Sequence, residues 1–190
     1  MPRAARVMTA AGWPAVVLLA AAGLGALGGL SATLRLVVTV ATDDGDGVCD
    51  ARCTLRDAIA AANAAPGRDT IVFAIGGGGP RVLRVTAPLP AVTSPVRLDA
   101  TTQPGWAGRP IVALDGAAAG PATIGLDLAG AGTVVRGLAV HSFSRAGLRI
   151  RGERTVVAAS AVGTDWRAEP LGNRSLFDGS TSPATERYRP

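Results

Sequence analysis

The side chains able to do chemistry in this chain are few, and most are aspartates. The only cysteines, Cys49 and Cys53, lie in CDARC, where a disulfide, a zinc site or a redox pair are all conceivable. Zinc takes about four ligands, and beyond this pair the sequence offers only one distant histidine, His141. A disulfide is therefore the expectation in an oxidising compartment. Closing so short a loop would pin a local turn more than it would stabilise a domain.

Asp43, Asp44, Asp46 and Asp50 form a second cluster, in TDDGDGVCD. Oxygen ligands along a glycine-containing loop suit calcium, although the spacing departs from an EF-hand and Asp-Gly clusters also make ordinary turns. Calcium is the one cofactor the residues suggest. His141, in AVHSFSR, has no carboxylate or serine partner identifiable from spacing and reads as a turn histidine. Trp106 in QPGWAGRP and Trp166 in TDWRAE carry rings that stack on sugars or close turns. No catalytic residue is assigned.

Among the elements that must position these residues, LRLVVTVA at 34 to 41 reads as a strand followed by a turn. Thr54 stands at a helix N-cap position with Asp57 three residues on, the spacing of a capping box. Leu55, Ala58, Ile59 and Ala62 then share one face of a short helix that should stop before Pro66-Gly67. From Thr70 onward the texture is short aliphatic runs: TIVFAI, RVLRV, VRLD, IVALD, IGLDL, TVVRGLAV, GLRI and TVVAASAV. Such runs suit a sandwich, a barrel or a solenoid.

Self-comparison favours the solenoid. At an offset of 22, Gly125 to Leu128 falls on Gly147 to Ile150, Gly130 on Gly152, Thr133 to Val135 on Thr155 to Val157, and Ala139-Val140 on Ala161-Val162. A coil stacked on a like coil requires such recurrence; a sandwich does not. The same offset stacks Asp127 on Arg149, a favourable pairing of opposite charges. Upstream the register is looser, with Phe73 and Ile75 falling on Val96 and Leu98 at an offset of 23. The expected fold is all-β: a parallel β-helix of about four coils over 70–165, capped by the helix within an N-terminal region 33–69. An irregular polar tail at 166–190, in which no cap is evident, follows.

Residues 1–32 read as a secretory signal: basic Arg3 and Arg6, an apolar run and a small-residue exit, with cleavage after Ser31 or Ala32. An uncleaved membrane anchor is the rival reading. Either way the chain is exported, to the medium or the cell surface. All 19 basic residues are arginine, as GC-rich coding would also produce. Losing two of them with the signal leaves 17 against 14 acids, a charge of +3. The arginines are scattered and aromatics sparse, so nucleic acid is not an expected partner.

CTLRDA at 53–58 resembles the Cys-Ser-Leu-Arg-Glu-Ala signature of the CSLREA domain, with Thr54 and Asp57 as conservative departures. DGDGVCDARCTLRDAIAAANAAPGRDTIVF, APLPAVTSPVRLDATTQPGWAGRPIVALDG and VRGLAVHSFSRAGLRI extend the resemblance over roughly positions 36–173. The resemblance implies export and a pectin-lyase-like right-handed β-helix, without implying a reaction. Family members carry further coils beyond VGTD and LGN, so the chain looks like the first part of something longer.

Pectin-lyase-like folds host polysaccharide lyases and glycoside hydrolases, the latter working with paired carboxylates. Carboxylates one coil apart would share a face, but at the offset of 22 Asp99 meets Pro121, Asp115 meets Gly137, and Asp165 meets Phe143. Asp99, Asp115, Asp127 and Asp165 thus read as turn or strand-end aspartates. Two functions stay open: a non-enzymatic structural or binding module, adhesin-like, for a polysaccharide or cell-surface ligand, and a carbohydrate-active enzyme or a fragment of one.

Overall fold

A computed structural model describes residues 33–165 and 167–173; the expected signal segment, Trp166 and most of the polar tail lie outside them. The described chain is mostly strands in parallel sheets, with one α-helix. The strands are β1 (Arg35–Val38), β2 (Asp69–Phe73), β3 (Arg81–Arg84), β4 (Val96–Asp99), β5 (Val112–Asp115), β6 (Ile124–Leu128), β7 (Val134–Arg136), β8 (Leu138–His141), β9 (Ala146–Ile150), β10 (Val156–Ala158) and β11 (Ala161–Val162). One sheet has the order β1-β2-β4-β7-β10, a second β3-β5-β8-β11, and a third pairs β6 with β9. Val92 extends the third sheet by a parallel bridge to Leu128. From β2 onward the chain visits the three sheets in one fixed order, and strands pair with those before and after them in the same sheet, β3 being the first of its own.

This arrangement follows from the aliphatic runs. Alternate residues of a strand face opposite sides, so parallel pairing aligns apolar residues into inward columns. One column runs Leu36, Ile71, Leu98, Val135, Val157; another runs Leu83, Leu114, Val140, Val162. Most of these side chains are fully buried in a single core cluster with Leu126, Leu128 and Phe143. Burial fades toward the last circuit, where Ile150, Val156 and Val162 are exposed.

The offset of 22 describes the final circuit: Val134 pairs with Val156, Ala139 with Ala161 and Asp127 with Arg149. Gly130 and Gly152 stack so closely that a Cβ at Gly152 would strike the Gly130 carbonyl, and one at Gly130 would strike that of Ser94. Upstream the expectation needs correction. Val96 and Leu98 pair with Asp69 and Ile71, an offset of 27, and not with Phe73 and Ile75. The next circuit of this sheet is longer still, since Arg97 pairs with Val134. Loops outside the strands absorb the extra length, so strand register is kept while circuit length is not. The single strands expected over TVVRGLAV and TVVAASAV are each two, divided between sheets at Gly137 (φ 75°) and Ala159 (φ 50°).

The helix α1 (Leu55–Ala64) buries Leu55, Ala58, Ile59 and Ala62 beside β1 and β2. Thr54 caps it: its hydroxyl accepts from the Asp57 N–H, and the Asp57 carboxylate accepts from the Thr54 N–H. Cys49 and Cys53 form the disulfide. Residues 170–173, at the start of the tail in which no cap is evident from sequence, fold back irregularly. Thr164 bridges Pro170, the Leu171 and Gly172 N–H groups donate to the Gly163 carbonyl, and the Asn173 side chain accepts from the Phe143 N–H.

Candidate functional site

The CTLRDA segment is absorbed by structure. Asp57 is almost fully buried; besides Thr54, it accepts from the Gly47 N–H of the acidic loop. A Cβ at Gly45 would strike its carboxylate, so loop and cap are in direct contact. Burial, the largest influence, opposes its ionisation. The hydrogen bonds from the Thr54 hydroxyl and the Gly47 and Thr54 N–H groups, with Arg52 nearby, outweigh it and hold the carboxyl below the usual range. Arg56, the arginine of the motif, reaches across to a neighbouring loop. Its Nε and Nη2 clamp Asp43 at 3.1 and 2.9 Å, and its N–H groups also donate to the carbonyls of Ala87 and Pro88. Asp43 in turn accepts from the N–H and hydroxyl of Thr86.

The four aspartates weighed for calcium are thus distributed among protein partners. Asp43 pairs with Arg56 and Asp44 with Arg52, while Asp46 and Asp50 accept from the Val48 and Arg52 N–H groups in short turns. The Thr42 and Arg52 side chains hold the Asp44 carboxyl below its ordinary value. Among the described residues no three His, Cys, Asp or Glu side chains are grouped as a metal would need.

The strand aspartates separate by sheet: Asp99 on β4, Asp115 on β5 and Asp127 on β6. Asp99 accepts from the Thr101 N–H and hydroxyl and pairs with Arg97 at 2.7 Å. Burial again opposes ionisation most, and the Thr101 and Arg97 hydrogen bonds overcome it to lower the carboxyl's pKa. Asp127 sits between Arg149 and Arg151, whose guanidinium groups depress its pKa strongly. Asp165 accepts from the Arg167 and Glu169 N–H groups and shapes a turn. Trp106 is half-buried, its ring against Gly137.

One polar constellation converges that spacing did not reveal. Arg84, Asp115 and His141 are Cα partners on β3, β5 and β8, at the C-terminal end of each strand. Adjacent strands are about 4.8 Å apart, so the three form a ladder of cation, carboxylate and imidazole. The expected absence of a partner for His141 is corrected: its Nδ1 lies 2.9 Å from the Ser142 hydroxyl and 3.8 Å from Asp115. Asp115 accepts from the Ala117 N–H at 3.0 Å. Ser142 adopts φ 62°, a left-handed conformation uncommon outside glycine that turns it out of the strand. Its N–H donates to the Gly172 carbonyl.

The geometry limits what this cluster does. In a Ser-His-Asp relay the carboxylate orients the nitrogen opposite the one facing the serine. Here hydroxyl and carboxylate both face Nδ1, and 3.8 Å is beyond hydrogen-bond reach. Among the described residues no second carboxylate stands in strand register with Asp115, whose Cα partners are Arg84 and His141. Arg84 is exposed, Asp115 half-buried and His141 almost fully buried, so the ladder meets solvent chiefly at Arg84, and two open depressions adjoin it. One, of about 530 Å³, is lined by Thr42, Asp43, Asp44, Val82, Arg84 and Thr86. The other, of about 420 Å³, is lined by Gly116, Ala117, Ser142, Ser144 and residues 171–172.

No family model, curated protein or solved structure matches the chain.

Proposed function

We propose that this chain is an exported, non-enzymatic binding module built as a right-handed parallel β-helix of the kind the CSLREA resemblance implies, with α1 closing its first coil. The fixed order in which the chain visits three parallel sheets supports the solenoid reading, and right-handed crossovers are the near-universal choice between parallel strands. Its ligand is an acidic polysaccharide at the bacterial surface or outside it, bound at Arg84, the exposed end of the Arg84, Asp115 and His141 ladder.

The observation that carries this reading is Arg84. Asp43 and Asp44 beside it are neutralised by Arg56 and Arg52, whereas Arg84 is exposed and forms no ion pair with a described residue. The depression therefore holds one uncompensated guanidinium, whose fork of donors matches a uronate carboxylate. Hydroxyls of Thr42, Thr86 and Ser142 supply the neutral contacts a sugar needs.

The test is calorimetric titration of the exported protein with polygalacturonate, alginate and a neutral glucan. Binding of an acidic polymer, weakened at least tenfold by Arg84→Ala and by raised salt, is expected. Equal binding of neutral glucan, or indifference to Arg84→Ala, overturns the assignment.

A second reading rests on the Ser142 hydroxyl against His141: carbohydrate-active catalysis at the same place. Release of new reducing ends or unsaturated products, lost in His141→Ala, would establish it in place of the first.

A further inference from the structure

Asp69, at the start of β2, is completely buried. Its Oδ1 accepts from the Leu34 N–H at 2.8 Å, while its Oδ2 is buried without any hydrogen-bond partner. A buried carboxylate oxygen left without a donor is costly, and native structures rarely tolerate one. Among the described residues no other carboxylate oxygen is buried and orphaned in this way, so Oδ2 calls for a donor.

That donor follows from where the signal is expected to end. Cleavage after Ala32 adds water across the 32–33 peptide bond, leaving a carboxylate on Ala32 and an α-ammonium on Thr33. That ammonium lies one residue from the Leu34 N–H, within about 4 Å of it along the chain. Thr33 is exposed, so the new end is free to turn inward. We propose that Asp69 is the receptor for the α-ammonium of the processed chain, with Oδ1 kept by the Leu34 N–H and Oδ2 taken by Thr33. Because β2 is the strand on which both β1 and β4 build, the ion pair would lock the first strand only after export. The inference rests on the export reading for the position of the new end.

Two measurements separate the inference from that reading. Edman sequencing of the exported product should give Thr33 as the first residue; a different start overturns the assigned position. Independently, chains prepared to begin at Thr33, at Ala32, and at Thr33 with its amine acetylated are compared by thermal unfolding at pH 7. The free Thr33 chain should melt several degrees above the other two, and the difference should vanish above about pH 10 as the amine loses its proton. Equal melting temperatures for the three chains overturn the pairing even where export is confirmed. Asp69→Asn should abolish the difference; a difference that persists in this variant also overturns it.

Discussion

Arg56 joins three segments through one guanidinium, taking Asp43 with two hydrogen bonds and the Ala87 and Pro88 carbonyls with others. Lysine keeps the charge but cannot reproduce the fork. Arg56→Lys is expected to destabilise by about 2 kcal/mol, seen as a lower urea midpoint, with helix content unchanged in far-ultraviolet circular dichroism. Thr54→Ala removes the hydroxyl of the cap and should cost about 1 to 2 kcal/mol. The acid response belongs to the same class of residue. Asp57, Asp99 and Asp127 have folded-state values below the ordinary carboxylate value of 3.8. Their stabilisation is complete above that value and is lost as pH falls through the lower folded-state values. Urea midpoints should therefore be level between pH 7 and 5 and fall below about pH 4. Asp57→Asn, already weaker at pH 7, should show a shallower fall.

At the scale of the elements, register matters more than repeat length. The helix was legible because its signals are local: a cap, a carboxylate three residues on, and a one-sided apolar face. The strands and the final circuit were legible because their aliphatic residues recur at an offset of 22. Where loops change the circuit length, spacing ceases to report neighbours. Asp115 pairs with His141, whereas a constant offset of 22 puts Gly137 opposite it. A slightly longer circuit thus hid the approach of His141 to Asp115. Arg84 was hidden for a similar reason, because the stretch from β3 to β5, which includes β4 and the loops on either side of it, sets it opposite Asp115 at an offset of 31. Within the columns, Leu98 is stacked between Ile71 and Val135 and is nearly inaccessible. Leu98→Ala should cost about 2 to 5 kcal/mol. Gly130→Ala tests the close approach of neighbouring turns: with the Ser94 carbonyl in the way, a loss of about 1 to 3 kcal/mol is expected, measured by chemical unfolding.

Across the whole molecule the disulfide is a minor contributor. The Cys49–Cys53 loop is so short that loop-closure entropy limits its contribution to about 2 kcal/mol. Reduction should lower the melting temperature by a few degrees and leave the strand signal in circular dichroism intact. Collapse of the strand signal on reduction would assign the bond a far larger part. The order of strands in the largest sheet, β1-β2-β4-β7-β10, rises steadily along the chain, and this has a bearing on how the protein is made. In this sheet each strand after β1 finds its template already synthesised. A chain delivered amino-terminus first can thus add each circuit to a finished surface, with the helix and its neighbouring strands as the seed. Assembly of that sheet then keeps pace with delivery, its newest strand exposing the edge to which the next one adds.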